Sequence, residues 1–169
     1  MRVVAVPYPS DFMQELAEWT AKMLDASEAT AKEIGVSPAA IVAQAALETG
    51  WGKSAIGNNV FGVKADPSWK GGRQCVTTRE WDPVERTYVT ERDYFRDYAS
   101  LADGIVDHFN FLRDNSRYSN VFNTGSDRAY FTALAADGYA TDPRYADKLM
   151  DVLTSVENIE RHLTVQEGT

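Results

Sequence analysis

Apolar positions recur along the start of the chain with a helical beat. Phe12, Leu16, Trp19 and Met23 are spaced by four, three and four after Ser10, a residue type that caps helix N-termini, which predicts an amphipathic helix. A second helical stretch is expected from Ser27 toward Gly35. Ser37-Pro38 then reads as an N-cap followed by proline at the first helical position, and Gly50 as a stop, so residues 38 to 49 are expected to form a short alanine-rich helix.

From Val60 to Tyr98 the texture changes to β-branched and aromatic residues, punctuated by Gly71-Gly72 and Asp82-Pro83. Two or three short antiparallel strands are expected here, with Cys75 to Trp81 and Glu85 to Tyr94 as a hairpin. Helical periodicity then returns. Ser100-Leu101-Ala102-Asp103 resembles a capping box before Leu101, Ile105, Phe109 and Leu112. Ser126 to Asp137, closed by Gly138, makes another helix, and Asp142-Pro143 opens a last one carrying Tyr145, Leu149, Val152, Val156 and Ile159. Strands confined to one segment between helices predict an α+β protein, mainly helical, with a small antiparallel β-hairpin lobe and a ligand cleft between the lobes.

Composition adds limits. A chain of 169 residues that is 44% hydrophobic and 11% aromatic fills the core of one domain without staples. Cys75 is the only cysteine, so no internal disulfide is possible, and a small buried hydrophobe is the expected role. In "MRVVAVPYPSDF", Pro7 and Pro9 interrupt the apolar run before a signal-peptide core forms, and no membrane span is found elsewhere. A net charge of -8 argues against wholesale nucleic-acid binding. One strip departs from that balance: Lys64, Lys70, Arg73 and Arg79 stand against Asp66 alone, as an ordinary solvated strand face or as a contact surface for an anionic ligand.

Candidate chemistry centres on "AIVAQAALETGWGKSAIGNNVFG", residues 41 to 63. Ile41, Ala45 and Glu48 share a helix face, so the acid points where apolar residues point, and desolvation there would raise its pKa and keep a proton available. The alternative is a helix-end glutamate in water or paired with Lys53. A protonated carboxyl commonly works with an ionised one, as in glycoside hydrolysis. Glu80 in "CVTTREW" is the best second candidate, with Glu85 and Glu91 competing. His108 and His162 lack metal-site spacing, and no phosphate loop or nucleophile elbow occurs, so no metal or cofactor is expected. Trp51, Phe61, Trp69, Trp81, Tyr88, Tyr94, Tyr139 and Tyr145 supply aromatic faces suited to sugar rings, and Asn59 an amide suited to sugar hydroxyl or acetamido groups. Most of the aromatics are expected in the core, with two or three lining the groove.

Six ordered segments, "AQAALETGWG", "NNVFGVKA", "SWKGG", "TTREW", "FRDYAS" and "GYATDPRYADKL", resemble the peptidoglycan-hydrolysing domain of glycoside hydrolase family 73, which includes the muramidase domain of flagellar rod proteins and bacterial and phage autolysins. The resemblance covers roughly residues 10 to 160 of a chain read as a single catalytic domain, 1 to 169. It implies a lysozyme-like fold and cleavage of the β-1,4 bond after N-acetylglucosamine in the bacterial wall. By the same resemblance Glu48 is the general acid, Glu80 the second carboxylate and Tyr139 a substrate-placing residue; Trp51, Asn59, Phe61, Trp69, Trp81 and Tyr145 are the candidate substrate contacts. Thr49 stands where serine is commoner in the family, and the "GKSAIGNNVFG" connection is short. A lytic transglycosylase or muramidase using Glu48 alone, and a non-catalytic glycan-binding module, are the competing functions. The expected partner is the glycan strand, the expected state a monomer, and the expected place of action the periplasm or cell wall. With no secretion signal, delivery is expected through phage lysis, flagellar export or as an excised domain.

Overall fold

The computed structural model describes residues 10–164, so the reading of residues 1–9 as an interrupted signal-peptide run lies outside the described residues. The order is α1 (Asp11–Ile34), α2 (Pro38–Thr49), β1 (Arg73–Asp82), β2 (Thr87–Arg96), α3 (Leu101–Asp114), a 3-10 turn (Ser116–Tyr118), α4 (Asp127–Ala136) and α5 (Tyr145–Thr164). The helical segments flank a single β ribbon, as the hydrophobic pattern predicts.

Four helices begin at a serine whose hydroxyl accepts a backbone N–H three residues on: Ser10 from Met13, Ser37 from Ala40, Ser100 from Asp103 and Ser126 from Ala129. The two helical stretches expected before Gly35 are one continuous 24-residue helix. Ser27 does not start a new element because it lies on the inward stripe Thr20, Met23, Ser27, Thr30 and Ile34, which is buried without a break. In α5 the buried face runs through Tyr145, Leu149, Leu153, Val156 and Ile159, so Leu153 takes the place assigned to Val152.

Helix α2 is the centre of the helical lobe, packed between α1 and α5. From Ala39 to Ala46 no residue is more than 2% exposed. The helix is therefore buried all round, and its alanines are what allow two neighbours to approach it. Glu48 stands at the point where this rod emerges.

The ribbon is antiparallel, with Cys75 opposite Tyr94, Glu80 opposite Val89 and Trp81 opposite Tyr88. Residues 63–65 pair with the outer edge of β2 through Ala65 N–H to the Tyr94 carbonyl and Arg96 N–H to the Val63 carbonyl, a short third strand in effect. Arg96 and Tyr98 fasten the hairpin to α3 through Asp107, at 3.0 and 2.5 Å. Cys75 is exposed, not buried as expected, because alternation along β1 turns it to the face whose β1 positions are all open to solvent.

Candidate active site

The turn directly after Glu48 fixes where its carboxyl points. Thr49 donates its hydroxyl to the Ala45 carbonyl at 2.7 Å and accepts the Gly52 N–H at 2.8 Å. Gly50, Trp51 and Gly52 all have positive φ, which reverses the chain within three residues. A Cβ on Gly52 would lie 2.2 Å from the Trp19 indole, so glycine is needed for the close approach as well as the turn. Trp51 packs edge to face on Trp19 at 6.2 Å and lines a small crevice with Phe12 and Leu16. The Thr-Gly-Trp-Gly run is thus a clamp between α1 and the end of α2. Lys53, the alternative partner for Glu48, instead places its ammonium 4.9 Å over the Phe12 ring.

Glu48 is open to solvent on one side, but protein crowds its carboxyl on the other. Burial raises its pKa above the ordinary glutamate value, and the hydrogen bond from Tyr145 pulls in the opposite direction without cancelling the effect. This differs from the expected apolar-face placement: the residues sharing a face with Glu48 are core, while the acid itself lies where the core meets solvent. Tyr145, the first residue of α5, is 4% exposed and donates its hydroxyl to Glu48 Oε1 at 3.0 Å.

Behind this pair stands an aromatic wall. Tyr139 stacks on Tyr145 at 5.8 Å and 24°, and meets Tyr118 and His108 edge to face at 6.0 and 5.9 Å. Burial, and then the negative charge of Glu48, push the Tyr139 and Tyr145 hydroxyls far above their usual pKa, so both remain proton donors. Tyr139 follows Gly138 at the end of α4, where its N–H returns to the Leu134 carbonyl, and this fixes the ring's direction. Gln44, one helical turn before Glu48, accepts the Tyr130 hydroxyl at 2.6 Å and lowers the Tyr139 pKa against the larger effects of burial and Glu48. Sequence reasoning did not single out Gln44. The signal available was a lone amide inside the apolar run "AIVAQAALE", four positions before the acid. His108 is buried, stacked on Phe61 at 3.9 Å, and burial lowers its pKa to about 3, so it is neutral and takes no part in proton transfer.

The remaining candidates divide. Glu80 lies in β1 on the ribbon face that also bears Gln74, whose amide donates to the carbonyl of Ile56 in the α2–β1 connection at 3.0 Å. Glu91 shares that face one rung nearer the base, whereas Glu85 sits in the tip turn that Asp82 caps. Trp81, adjacent to Glu80, turns to the opposite face and packs on Tyr88 at 5.1 Å. Asn59 is 2% exposed, and its amide is engaged with the Val63 and Arg96 carbonyls and the Val63 N–H, so it pins the hairpin base and presents nothing to a sugar. Phe61 is core, packed on His108 and Phe109. Trp69 donates its indole N–H to the Gly72 carbonyl and lies under the Arg96 guanidinium at 4.4 Å, which folds the loop before β1. Among the described residues no cluster of histidine, cysteine, aspartate and glutamate is placed to hold a metal.

A family profile described as mannosyl-glycoprotein endo-beta-N-acetylglucosaminidase matches residues 24–158. The chain is 39% identical over 140 residues to the peptidoglycan hydrolase FlgJ of Vibrio parahaemolyticus, covering 79% of this chain and 45% of that protein. It is 37% identical over 126 residues to the exo-glucosaminidase LytG of Bacillus subtilis, covering 70% and 43%. The chain thus spans less than half the length of these curated relatives. Among solved structures, the glycoside hydrolase domain of Salmonella typhimurium FlgJ superposes with a TM-score of 0.77 at 31% identity, over 90% of this chain and 94% of that one. With the profile spanning most of its length and the solved domain superposing over 90% of it, the chain belongs to the glucosaminidase family, glycoside hydrolase family 73.

Proposed function

We propose that this chain hydrolyses the β-1,4 bond after N-acetylglucosamine in bacterial peptidoglycan, acting at the cell wall or in the periplasm as a single, monomeric catalytic domain. The observation that carries the reading is the Glu48 carboxyl, crowded at the mouth of α2, raised in pKa and held in one orientation by Tyr145. A carboxyl in that state delivers its proton to the glycosidic oxygen as the bond to the anomeric carbon breaks. Glu80, on the carboxylate-bearing face of the ribbon, supports the positive charge developing at the sugar and assists attack there, directly or through water. The leaving strand departs as an alcohol, and one water is added across the bond. Tyr139 remains protonated throughout and serves as a donor that places the substrate.

Mass spectrometry of purified peptidoglycan after digestion tests this. The proposal expects fragments ending in reducing N-acetylglucosamine. Reducing muramic acid ends would make the chain a muramidase, and anhydro-muramyl ends, lighter by one water, a transglycosylase. No release of fragments would leave a binding module.

A further inference from the structure

The two faces of the hairpin carry opposite charge. Pairing and alternation put all four strand carboxylates, Glu80, Asp82, Glu91 and Asp93, on the face that also bears Gln74, and all four strand arginines on the other. At the base of the arginine face, Arg73 is engaged by the Ala65, Asp66 and Trp69 carbonyls, and Arg96 by Asp66 and Asp107. Further out the face is bare. Arg79 and Arg92 are exposed, and among the described residues neither pairs with a carboxylate. Arg79 lies 5.1 Å over the Tyr88 ring, which in turn meets Trp81 at 5.1 Å. Trp81, Tyr88 and Tyr94 are 53%, 58% and 51% exposed.

Three large rings left in water on one strip, interleaved with two unpaired guanidiniums in a protein of net charge -8, are not what core packing or solubility would select. From Cys75 to Trp81 the strip runs about 20 Å, a length suited to a polymer rather than a single sugar. We propose that this outer face binds a second, uncut peptidoglycan strand, with sugar rings on Trp81, Tyr88 and Tyr94 and stem-peptide carboxylates on Arg79 and Arg92. An acidic protein approaching an anionic wall is repelled over most of its surface, and this strip is the side that tolerates contact. Binding there would hold the enzyme on the wall while the carboxylate face of the same ribbon attends to the strand being cut. The proposal rests on the reading of peptidoglycan as the target.

Co-sedimentation with purified peptidoglycan freed of phosphate-bearing polymers tests it, in a Glu48→Gln background so that the wall persists. Arg79→Glu with Arg92→Glu should reduce the bound fraction about tenfold or more, and more strongly at low salt, while Tyr88→Ala weakens it without the salt dependence. In protein with Glu48 intact, the same substitutions should leave turnover of a short soluble glycan within about twofold, since the cleft is unchanged. Sedimentation equal to the parent, retention only when phosphate polymers are present, or an equal loss of soluble-glycan turnover would each overturn the proposal. Wild type that digests the wall without being retained on it overturns this inference alone. Wild type that neither digests nor binds overturns the proposed function with it.

Discussion

His108 gives the most quantitative handle on the fold that supports the site. Its ring is sealed between Phe61 and Phe109, edge-on to Tyr139, and its Nε2 has no hydrogen-bond partner among the described residues. Burial alone takes its pKa from 6.5 to about 3. In that interval the unfolded chain binds a proton that the native state refuses, so stability is lost as pH falls and is fully present above the unfolded value. At 1.36 kcal/mol per unit, the interval amounts to at most about 5 kcal/mol, and to about 3 kcal/mol on going from neutrality to about pH 4.5. Glu48 acts with the opposite sign: its raised pKa makes the native state the better proton binder, so it contributes instability that appears as pH rises. Replacing His108 with Phe keeps an aromatic ring against Phe61 and removes only the titrating group. Urea unfolding of both proteins near pH 7 and about pH 4.5 should therefore show wild type losing about 3 kcal/mol more than His108→Phe. Parallel losses would refute the claim that His108 is held neutral by burial.

Three further substitutions address the site. Tyr145→Phe keeps the stack on Tyr139 but removes the bond to Glu48, so the Glu48 pKa rises further, the alkaline limb of the pH–rate profile moves to higher pH, and turnover falls about tenfold; Tyr139→Phe should lower turnover with little change in melting temperature, and an unchanged rate would return that ring to the core. Glu80→Ala should damage turnover while Glu85→Ala is silent, and a harmful Glu91→Ala with a silent Glu80→Ala would move the second carboxylate one rung toward the base of the ribbon. Gly52→Ala forces Cβ into Trp19 at a left-handed position and should cost a few kcal/mol in urea unfolding, about 2 to 4.

Helix starts were legible because each is written in a local residue, the capping hydroxyls of Ser10, Ser37, Ser100 and Ser126. The hairpin was legible from its β-branched texture, but not its register: Glu85, expected to open the second strand, sits in the turn, and β2 begins at Thr87, opposite Asp82. Burial was not, because it depends on partners distant in sequence. Asn59 and Phe61 look like sugar contacts in a motif, yet Asn59 saturates its amide on Val63 and Arg96, and Phe61 faces His108. Tyr145 looked like a ring for substrate and is a hydroxyl for Glu48, since only the approach of α5 to α2 brings them within 3.0 Å. The alternation that separates Trp81 from Glu80 was present in the sequence. How each face is held at its base is set by contacts between distant segments, Gln74 with Ile56 on one side and Arg96 with Asp107 of α3 on the other.

The central claim, that the Glu48 proton drives bond cleavage, is tested most directly by Glu48→Gln on purified peptidoglycan. The amide keeps the shape and still accepts the Tyr145 hydroxyl, and it removes a charge that the native state disfavours, so at neutral pH the variant should melt no lower than wild type. Its rate, followed by loss of wall turbidity and release of reducing ends, should fall by about 100- to 10,000-fold. A folded Glu48→Gln protein retaining more than about a tenth of the wild-type rate would contradict the account.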